Sequence, residues 1–487
     1  MERWVAALIM MGAYLALALV IGILAGRRKD FFSLAEFAIA HRDLALFMMW
    51  FMMGGTIFSA FAFLGGPGWA FSRGAASYYV LGYCALGLLP WYVIGPKTSR
   101  IGEKYSLTCM GDFAEKRYGS KALTGLIGLI ATFAFIQYLC LQIKGAAYIF
   151  NVLTEGNISY NLAALLTYGI VIIYVATGGL RAAAWSDVLQ SGLMIVVAWS
   201  VGFTLVNRLH GGVGAMFQKI AAESPGFLQI GVEGSQMSAN AYSTAILVSV
   251  LGFIMWPHLF AKSFASTPRK IKQTVLAYPL FALIMVPVLF MGFAAIGHVD
   301  PSQIESSDQI VPYVITHNLG ASGWLYGLVG AGALAAAMSS ADAITHGAAV
   351  EFVQGIYKLF RPNATEREIV VAMRWSVVGI GAVALYIALY GAAGLIQLLL
   401  GAYGSIVQFA PLVYGALYWK RSSKAGAIAG LVAGVAVNTY YQVIVGSSPL
   451  DINPGLWGLV VNLVIFVVVS LLTKPSDEGI ADEFINA

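Results

Sequence analysis

The segment AAAMSSADA at 335–343 carries two neighbouring hydroxyls that suit the binding of a small cation. Ala336, Ser339 and Ser340 stand at i, i+3 and i+4, so their oxygens converge on one face of a helix. Two hydroxyls and an unwound backbone carbonyl are oxygen ligands, which small hard cations prefer. A structural interpretation competes with this one, because small residues and serines also let membrane helices pack closely. The pattern alone leaves both interpretations open.

Charged side chains in apolar stretches are the next candidates, because intramembrane acids are costly and usually functional. Asp187 opens an apolar stretch, where an aspartate also suits helix capping or a contact with water. Asp342 stands three residues from Ser339, and it either tunes that site electrostatically or pairs with a base on a neighbouring helix. Lys144 either reaches the membrane interface or faces a cavity, where it balances a substrate carboxylate or an acid such as Asp342.

Two stretches interrupt a helix within apolar runs. GGTIFSAFAFLGGPG at 54–68 carries five glycines and a proline, and GFIMWPH at 252–258 follows about five spans later. In a bilayer, a broken helix persists only where its free backbone groups are buried in protein or line a cavity. Paired interrupted helices in corresponding positions are typical of the substrate site of a secondary transporter. The sequence therefore predicts a binding site between the two breaks.

Composition decides the class of protein that must position these residues. The chain has 487 residues, is 59% hydrophobic and only 10% charged, and has a mean hydropathy of +0.79. A soluble surface cannot be built from that composition. We therefore expect an all-α polytopic protein embedded in a lipid bilayer. The sequence contains no phosphate loop, metal quartet or nucleophile motif, so we expect neither an enzyme nor a nucleic-acid partner. It indicates no oligomeric state.

Apolar runs of about 20 residues predict thirteen membrane spans. These runs lie at 4–25, 43–66, 76–96, 122–152, 158–178, 185–207, 241–262, 274–297, 322–346, 368–391, 394–418, 424–445 and 455–473. We expect one transmembrane domain over 1–474 and a short, acidic, poorly ordered tail at 475–487. The first run is followed by Arg27, Arg28 and Lys29 and has no basic n-region, so we interpret it as a retained span.

The distribution of lysine and arginine predicts the orientation in a plasma (inner) membrane. With the N-terminus outside, one set of segments and their helix ends holds 23 of the 28 Lys and Arg residues, counting Lys262 and Arg374. These cytoplasmic segments are 26–42, 97–121, 179–184, 263–273, 347–367, 419–424 and the tail. Cytoplasmic loops carry such an excess, and an odd number of spans places the C-terminus inside. The outer loop at 208–240 is expected to carry a surface helix or lid, and 298–321 is a second outer loop.

Four motifs carry a resemblance to a known family. They are GGTIFSAFAFLGGPG at 54–68, TGGLRAAAWSDVLQ at 177–190, AAAMSSADA at 335–343 and, more loosely, GFIMWPHLFAK at 252–262. Over about residues 5–473 the sequence resembles the sodium:solute symporter family, which includes proline, pantothenate and monocarboxylate permeases and the sodium/glucose cotransporters. The resemblance implies a core of two inverted five-helix repeats at 43–207 and 241–418, each with a broken first helix. One extra helix at 4–25 precedes this core, and two at 424–473 follow it.

The resemblance also implies a sodium site and an ion pathway. The implied sodium ligands are the carbonyls of Gly55, Phe58 and Ala336 and the hydroxyls of Ser339 and Ser340. Asp187 and Gln190 correspond to positions that the family links to ion movement toward the cytoplasm. Sodium, and not a proton, is the expected coupling ion, because this cluster lacks a titratable group that must bind the ion.

The solute is expected between the two breaks, where the local residues are mostly apolar and aromatic. Candidate substrate-binding residues are Thr56, Ile57, Ser59, Lys144, Ser249, Phe253 and Trp256. Proline permeases carry a tryptophan and a tyrosine where this chain has Ser249 and Phe253, and a polyol would leave hydroxyls unpaired at about 1–3 kcal/mol each. A short monocarboxylate such as lactate, pyruvate or acetate is the preferred substrate, since the stretch that follows the first break resembles the monocarboxylate branch. Pantothenate or an amino acid such as proline stays open, as does a sensor or ion channel on the same fold.

Overall fold

The computed structural model describes residues 2–27, 31–318, 322–391 and 395–487. All regular structure within these ranges is helical, which confirms the expected all-α fold. A helix satisfies its own backbone hydrogen bonds, as the hydrocarbon of a bilayer requires. Some predicted features lie outside the described residues: the loop charges Arg28 and Lys29, residues 319–321 of the second outer loop, and residue 394, where one span was expected to begin.

The described residues of the first half form ten α-helices. They are α1 (Arg3–Gly26), α2 (Leu34–Ile39), α3 (Leu46–Ile57), α4 (Gly66–Arg73), α5 (Tyr78–Leu86), α6 (Leu89–Tyr105), α7 (Met110–Tyr118), α8 (Lys121–Leu153), α9 (Tyr160–His210) and α10 (Val213–Glu223). The helix α10 lies in the predicted outer loop at 208–240 and confirms the helix that was expected there.

The second half forms thirteen α-helices among the described residues. They are α11 (Ala239–Phe253), α12 (Pro257–Phe260), α13 (Pro268–Ala282), α14 (Met285–Ala295), α15 (Ile310–His317), α16 (Gly323–Phe352), α17 (Lys358–Phe360), α18 (Glu366–Tyr390), α19 (Leu395–Ile406), α20 (Ala410–Tyr418), α21 (Lys424–Thr439), α22 (Pro454–Leu472) and α23 (Glu478–Asn486). Short 3₁₀ or π segments join or extend several of them, at 40–42, 61–65, 74–77, 225–228, 261–263, 301–303, 307–309, 353–357, 407–409, 440–445 and 449–451.

The number of spans stays a prediction. In the described ranges nine helical stretches are long and apolar enough to cross a bilayer, and a tenth is obtained if α11 and the helical segment after it count as one bent span. One of the nine is α9, whose 51 residues cover two predicted spans and turn at Gly179, where φ is 56° and ψ is −146°. A helix of that length is about 76 Å long at 1.5 Å per residue, more than twice the hydrocarbon thickness of about 30 Å.

Helix α16 lies at the centre of the bundle. Its most apolar stretch is 94% buried, and it packs against α1, α8, α9 and α18. Small residues let these neighbours approach closely. A methyl group built on Gly332 would lie 2.7 Å from the Val197 side chain of α9, so the two helices touch there. The helix that carries AAAMSSADA is therefore surrounded by protein.

The expectation of a poorly ordered tail is wrong. Residues 478–486 form α23, which begins with the Asp477 side chain accepting from the Ile480 N–H at 3.0 Å. Phe484 is fully buried against Phe113, with ring centroids 5.1 Å apart. The apolar side chains of this acidic segment recur at helical spacing, so they share one face. That face packs on the bundle, and the acidic residues meet lysines at its rim.

Candidate cation and solute site

Helix α3 ends in the middle of the first predicted break. Its last residue is Ile57, and Phe58 leaves the helical conformation with φ −84° and ψ 69°. The chain resumes as a π-helix at Phe61–Gly65, which leads into α4. The last carbonyl groups of a helix have no N–H partner within it, so the end of α3 offers backbone oxygens to its neighbours. The interruption predicted within 54–68 is confirmed.

Two serines of α16 face the end of α3. The Ser340 hydroxyl donates to the Thr56 carbonyl at 2.8 Å and lies 3.4 Å from the Gly55 carbonyl oxygen. A methyl group built on Gly55 would lie 2.5 Å from Ser339 Oγ and 3.1 Å from Asp187 Oδ1. No side chain fits at Gly55, and this close approach brings α3, α9 and α16 together. The structure thus assembles three of the five predicted ligand residues.

The two other predicted carbonyl ligands lie on the same two helices. Ala336 is fully buried on α16, one turn before Ser339. Phe58 is fully buried at the break, and its ring packs on Phe281 of α13 with ring centroids 5.2 Å apart. Both residues therefore sit on the segments that carry Gly55 and the serines, and their role as ligands stays a prediction.

Asp187 lies within α9, eight residues beyond the turn at Gly179. It is fully buried and faces the Ser339 hydroxyl, and among the described residues neither of its carboxylate oxygens has a hydrogen bond of good geometry. The sequence left two alternatives for Asp187, helix capping and contact with water. Neither describes a fully buried residue inside a helix. The turn at Gly179 explains the difference, because it places the start of the second half of α9 two turns before Asp187.

The face of α9 that carries Asp187 packs against α1 and α3. Gln190 follows at i+3, so it shares this face. Its Nε2 donates to the Tyr14 hydroxyl at 3.2 Å, whereas its Oε1 has no partner. The Ser191 hydroxyl donates to the Phe51 carbonyl at 3.0 Å. Asp187 and Gln190 are therefore adjacent and buried, and their role in ion release stays a prediction.

Asp342 is held by hydroxyl groups. Its Oδ2 accepts from the Tyr174 hydroxyl and from the Ser186 hydroxyl, each at 2.8 Å. Its Oδ1 is buried and has no partner. Hydrogen bonds from hydroxyls stabilise a carboxylate in its charged form. Hydrogen bonds thus link Asp342 to α9. Asp342 also stands three residues after Ser339, so the two residues share one face of α16.

Several buried oxygen atoms in this region have no hydrogen bond of good geometry among the described residues. They are Asp187 Oδ1 and Oδ2, Gln190 Oε1, Ser339 Oγ and Asp342 Oδ1. A buried polar group without a partner costs about 1–3 kcal/mol, and more when it is charged. Acceptor oxygens on α9 and α16, beside the carbonyls at the end of α3, suit a hard cation such as sodium. The donor set on these three helices fits that ion.

Sequence reasoning missed the position of Lys262, which was counted among the charges of a cytoplasmic loop. The residue is 1% exposed. Its Nζ donates to the Thr56 hydroxyl at 2.7 Å and to the Met52 carbonyl at 3.1 Å. Lys262 therefore joins the segment after the second break to the last turns of α3. Its place in the motif GFIMWPHLFAK, five residues beyond the Pro257 that restarts the helix, was the available indication.

The second break lies at Ile254–Trp256, between α11 and α12. Trp256 has φ −57° and ψ 120°, and the chain bends by 46°, which confirms the predicted interruption. Aromatic rings surround this bend. Trp256 lies 4.9 Å from Tyr138 and 5.5 Å from Tyr403 between ring centroids, and Phe253 lies 6.3 Å from Tyr83. The aromatic surroundings expected from the sequence are present, and α8, α5 and α19 contribute further rings.

Polar donors lie within this aromatic region. Trp256 Nε1 is buried beside the Tyr403 hydroxyl, and Gln142 Nε2 is buried without a partner among the described residues. Gln142 Oε1 accepts from the Ala60 N–H at 3.0 Å, which fixes the amide against the first break. Gln142 was not singled out from the sequence, although a glutamine inside an apolar span is costly unless it is paired. Both breaks are thus bordered by N–H donors in an apolar setting.

The remaining substrate candidates are buried around the breaks. Thr56 donates its hydroxyl to the Met52 carbonyl at 2.6 Å, and Ser59 Oγ accepts from the Phe61 N–H at 3.2 Å. Ile57 and Ser249 are buried on α3 and α11. These residues lie where the sequence placed them, and contact with a solute stays a prediction for each.

Lys144 is largely covered by protein at the end of α18. It is 6% exposed, and its Nζ donates to the Gly391 carbonyl at 2.5 Å, just after α18 ends. A cation at a helix C-terminus interacts favourably with the helix dipole. This contact gives Lys144 a packing role, and its predicted contact with a substrate stays untested.

Interrupted membrane helices joined at a cluster of unpartnered buried oxygens define a membrane transport protein. The family model described as "Sodium:solute symporter family" matches residues 37–434. The chain belongs to this family, as its motifs indicate. It is therefore a multi-pass membrane transporter that moves a small solute, and sodium is its coupling ion.

Three relatives illustrate the range of this family. The chain is 30% identical over 490 residues to the uncharacterized symporter YhjB of Bacillus subtilis (strain 168), covering 98% of this chain and 99% of the relative. It is 25% identical over 480 residues to a monocarboxylate transport permease protein of Rhizobium johnstonii, covering 94% and 95%. It is also 25% identical over 479 residues to the high-affinity proline transporter PutP of Bacillus subtilis, covering 96% and 98%.

Solved structures share the fold. A Na⁺-coupled sialic acid symporter in a substrate-bound outward-open state aligns with a TM-score of 0.81 at 16% identity, covering 97% of this chain and 98% of that one. MhsT in complex with L-phenylalanine aligns with a TM-score of 0.54 at 14% identity, covering 87% and 98%. At these identities the likeness concerns the fold alone.

Proposed function

We propose that this sodium-coupled symporter imports a short monocarboxylate of the lactate, pyruvate or acetate type across the plasma membrane. The observation that carries the substrate class is the region between the breaks, where aromatic rings surround the indole N–H of Trp256, beside the Tyr403 hydroxyl, and the unpartnered amide N–H group of Gln142. Such donors suit a carboxylate, and the rings suit a short apolar tail. The similarity to a monocarboxylate permease is in line with this substrate class.

The proposed sodium ligands are the carbonyls of Gly55, Phe58 and Ala336 and the hydroxyls of Ser339 and Ser340. The contact of Ser340 with the end of α3 and the unpartnered Ser339 hydroxyl support this set. We assign Asp187 and Gln190 to ion release and Asp342 to electrostatic tuning of Ser339. An ion at this position would hold α3 of the first repeat against α16 of the second.

In the proposed orientation the N-terminus lies outside and the C-terminus in the cytoplasm, as the distribution of lysine and arginine favours. Sodium and solute bind from outside, the helices of the first repeat rock against the rest, and both leave to the cytoplasm. In one-to-one transport of sodium with a monocarboxylate anion the two charges cancel, so the membrane potential supplies no net free energy and the sodium concentration gradient drives accumulation.

Uptake into proteoliposomes tests this proposal. Labelled lactate, pyruvate, acetate, proline, glucose and pantothenate are supplied with and without an inward sodium gradient. We expect sodium-stimulated uptake of one of the three monocarboxylates, and loss of that stimulation in Ser339→Ala/Ser340→Ala. Ser200→Ala is the matched control, because its exposed hydroxyl donates to the Val196 carbonyl of its own helix at 2.6 Å.

Each other outcome changes a specific part of the proposal. Sodium-driven uptake of proline or pantothenate would replace the monocarboxylate with the corresponding alternative. Stimulation that survives the double substitution would overturn the ligand assignment. Uptake without any response to sodium would favour a passive carrier, a channel or a sensor on this fold.

A further inference from the structure

Lys262 holds a buried positive charge at the end of α3. Its side chain starts in the 3₁₀ segment Ala261–Ser263 and ends on two oxygens of α3, the Thr56 hydroxyl at 2.7 Å and the Met52 carbonyl at 3.1 Å. A buried ammonium costs several kcal/mol unless oxygens and opposite charges surround it. Packing alone therefore does not explain a lysine at this buried position.

The charges near Lys262 do not balance. Asp187 and Asp342 are both fully buried on the two helices that face the end of α3. Asp342 is held by two hydroxyls, and Asp187 faces the Ser339 hydroxyl with no ion-pair partner among the described residues. Counted with both carboxylates ionised, the two acids and one ammonium carry a net charge of −1, and a single sodium ion brings this charge to zero.

The geometry connects this charge count to the proposed sodium ligands. Lys262 holds the Thr56 hydroxyl, while Ser340 donates to the carbonyl of the same Thr56 at 2.8 Å. Ser339 and Asp187 both lie close to the preceding residue, Gly55. The ammonium and the predicted ion therefore lie against the same turn of α3, with Lys262 on the Thr56 side chain and Ser340 on the Thr56 carbonyl.

We infer that Lys262 is a built-in cation that takes the place of a second sodium ion, so that the protein carries one sodium per solute molecule. This inference rests on the proposed sodium site. Without the ammonium, the region keeps two negative charges. The space beside the Met52 carbonyl and the Thr56 hydroxyl, both oxygen ligands suited to a hard cation, then becomes available to a second ion.

The test compares the purified full-length protein with Lys262→Gln, Lys262→Arg and Lys262→Gln/Asp342→Asn. In proteoliposomes, ²²Na⁺ and labelled solute fluxes give the number of sodium ions per solute. In detergent, the dependence of Tm on sodium concentration gives the number of ions bound, because each bound ion adds to the slope of stability against log sodium. Lys270→Gln is the matched control, since Lys270 also donates to a backbone carbonyl near α3, that of Leu44, at 2.7 Å.

In Lys262→Gln we expect the number of sodium ions per solute, and the number of bound ions obtained from the Tm slope, to rise from about one to about two. They should stay at about one in Lys262→Arg and in the control, and return to about one in Lys262→Gln/Asp342→Asn. An unchanged ratio in Lys262→Gln would overturn the inference. A folded double variant that still carries about two sodium ions per solute would do the same. A wild type with no sodium dependence would instead refute the proposed function.

Discussion

Two buried acidic regions of the molecule differ in how their charges are satisfied. Glu36 on α2 forms a bidentate pair with Arg181 of α9, at 2.5 Å and 3.0 Å, and Arg181 also donates to the Ala40 carbonyl at 3.0 Å. Asp187, six residues further along α9, faces the Ser339 hydroxyl and has no ion-pair partner among the described residues. The same helix therefore carries one closed ion pair and one open carboxylate.

The contrast separates structural from functional charge. The charges of Glu36 and Arg181 already neutralise each other, so an added ion would not stabilise them. The role of this pair is therefore structural, since it holds α2 on α9. An unpartnered carboxylate raises the free energy of the protein alone, and an ion that binds there recovers that cost. The open carboxylate lies beside Gly55 and Ser339, where sodium binding is proposed. Four substitutions test this difference between the structural acid Glu36 and the functional acid Asp187.

The largest effect is expected from Glu36→Gln. It leaves Arg181 charged and without its carboxylate, and breaking a buried pair in this way costs about 3–5 kcal/mol. We expect a marked fall in Tm measured in detergent, with the sodium affinity of the folded fraction unchanged. The double variant Glu36→Gln/Arg181→Met should recover part of that Tm. A normal Tm in Glu36→Gln would show that the pair is not structural.

Asp187→Asn should produce the opposite pattern. It removes an unpaired buried charge, so the sodium-free Tm should stay the same or rise, while sodium affinity falls on the order of 100-fold, as for the loss of a group that supports a bound ion. Sodium titration of Tm and of solute uptake measures both quantities. A lower sodium-free Tm with unchanged sodium affinity would place Asp187 with Glu36 as a structural acid.

A smaller effect is expected from Ser186→Ala. The substitution removes one of the two hydroxyls that donate to Asp342 Oδ2, and a hydrogen bond to a charged group contributes about 1.5–3 kcal/mol. Because this bond acts on the ion only through Asp342, we expect sodium affinity to fall about fivefold. Ser200→Ala serves as the control. An affinity equal to that of wild type would argue against a link between Asp342 and the ion.

The smallest effect is expected at the tail. Asp482 of α23 pairs with Lys420 at 2.9 Å, and both side chains are about half exposed. Exposed pairs contribute little to stability. Asp482→Asn should therefore leave sodium-dependent uptake and Tm unchanged within error. A change in transport would show that α23 is coupled to the helices that move, and the buried Phe484 would then be the next residue to replace.

Much of this molecule follows from its sequence because the relevant signals are local. Glycines and prolines inside apolar runs locate both breaks, since those residues interrupt helices wherever they stand. The hydroxyls of Ser339 and Ser340 share a face through helical spacing alone. The motifs at 54–68 and 335–343 indicate the family, and the matched family model confirms it.

The rest depends on contacts between distant parts of the chain. Lys262 contacts Thr56 across 206 residues, and its place five residues beyond Pro257 indicates a position near the second break but not the partner on α3. The partners of Asp342 lie on α9, more than 150 residues away. The tail was expected to be disordered because it is short and acidic, yet Phe484 finds a buried place against Phe113. Tertiary packing decides each of these cases.

Sodium-dependent stabilisation of the purified protein tests the central claim most directly. Tm is measured in sodium, potassium and choline chloride at constant ionic strength, without solute, for wild type and for Ser339→Ala/Ser340→Ala. The account predicts that sodium alone raises the Tm of wild type, and that the double variant loses this rise while keeping its sodium-free Tm. A double variant that sodium stabilises as strongly as wild type would contradict the placement of the ion between α3 and α16.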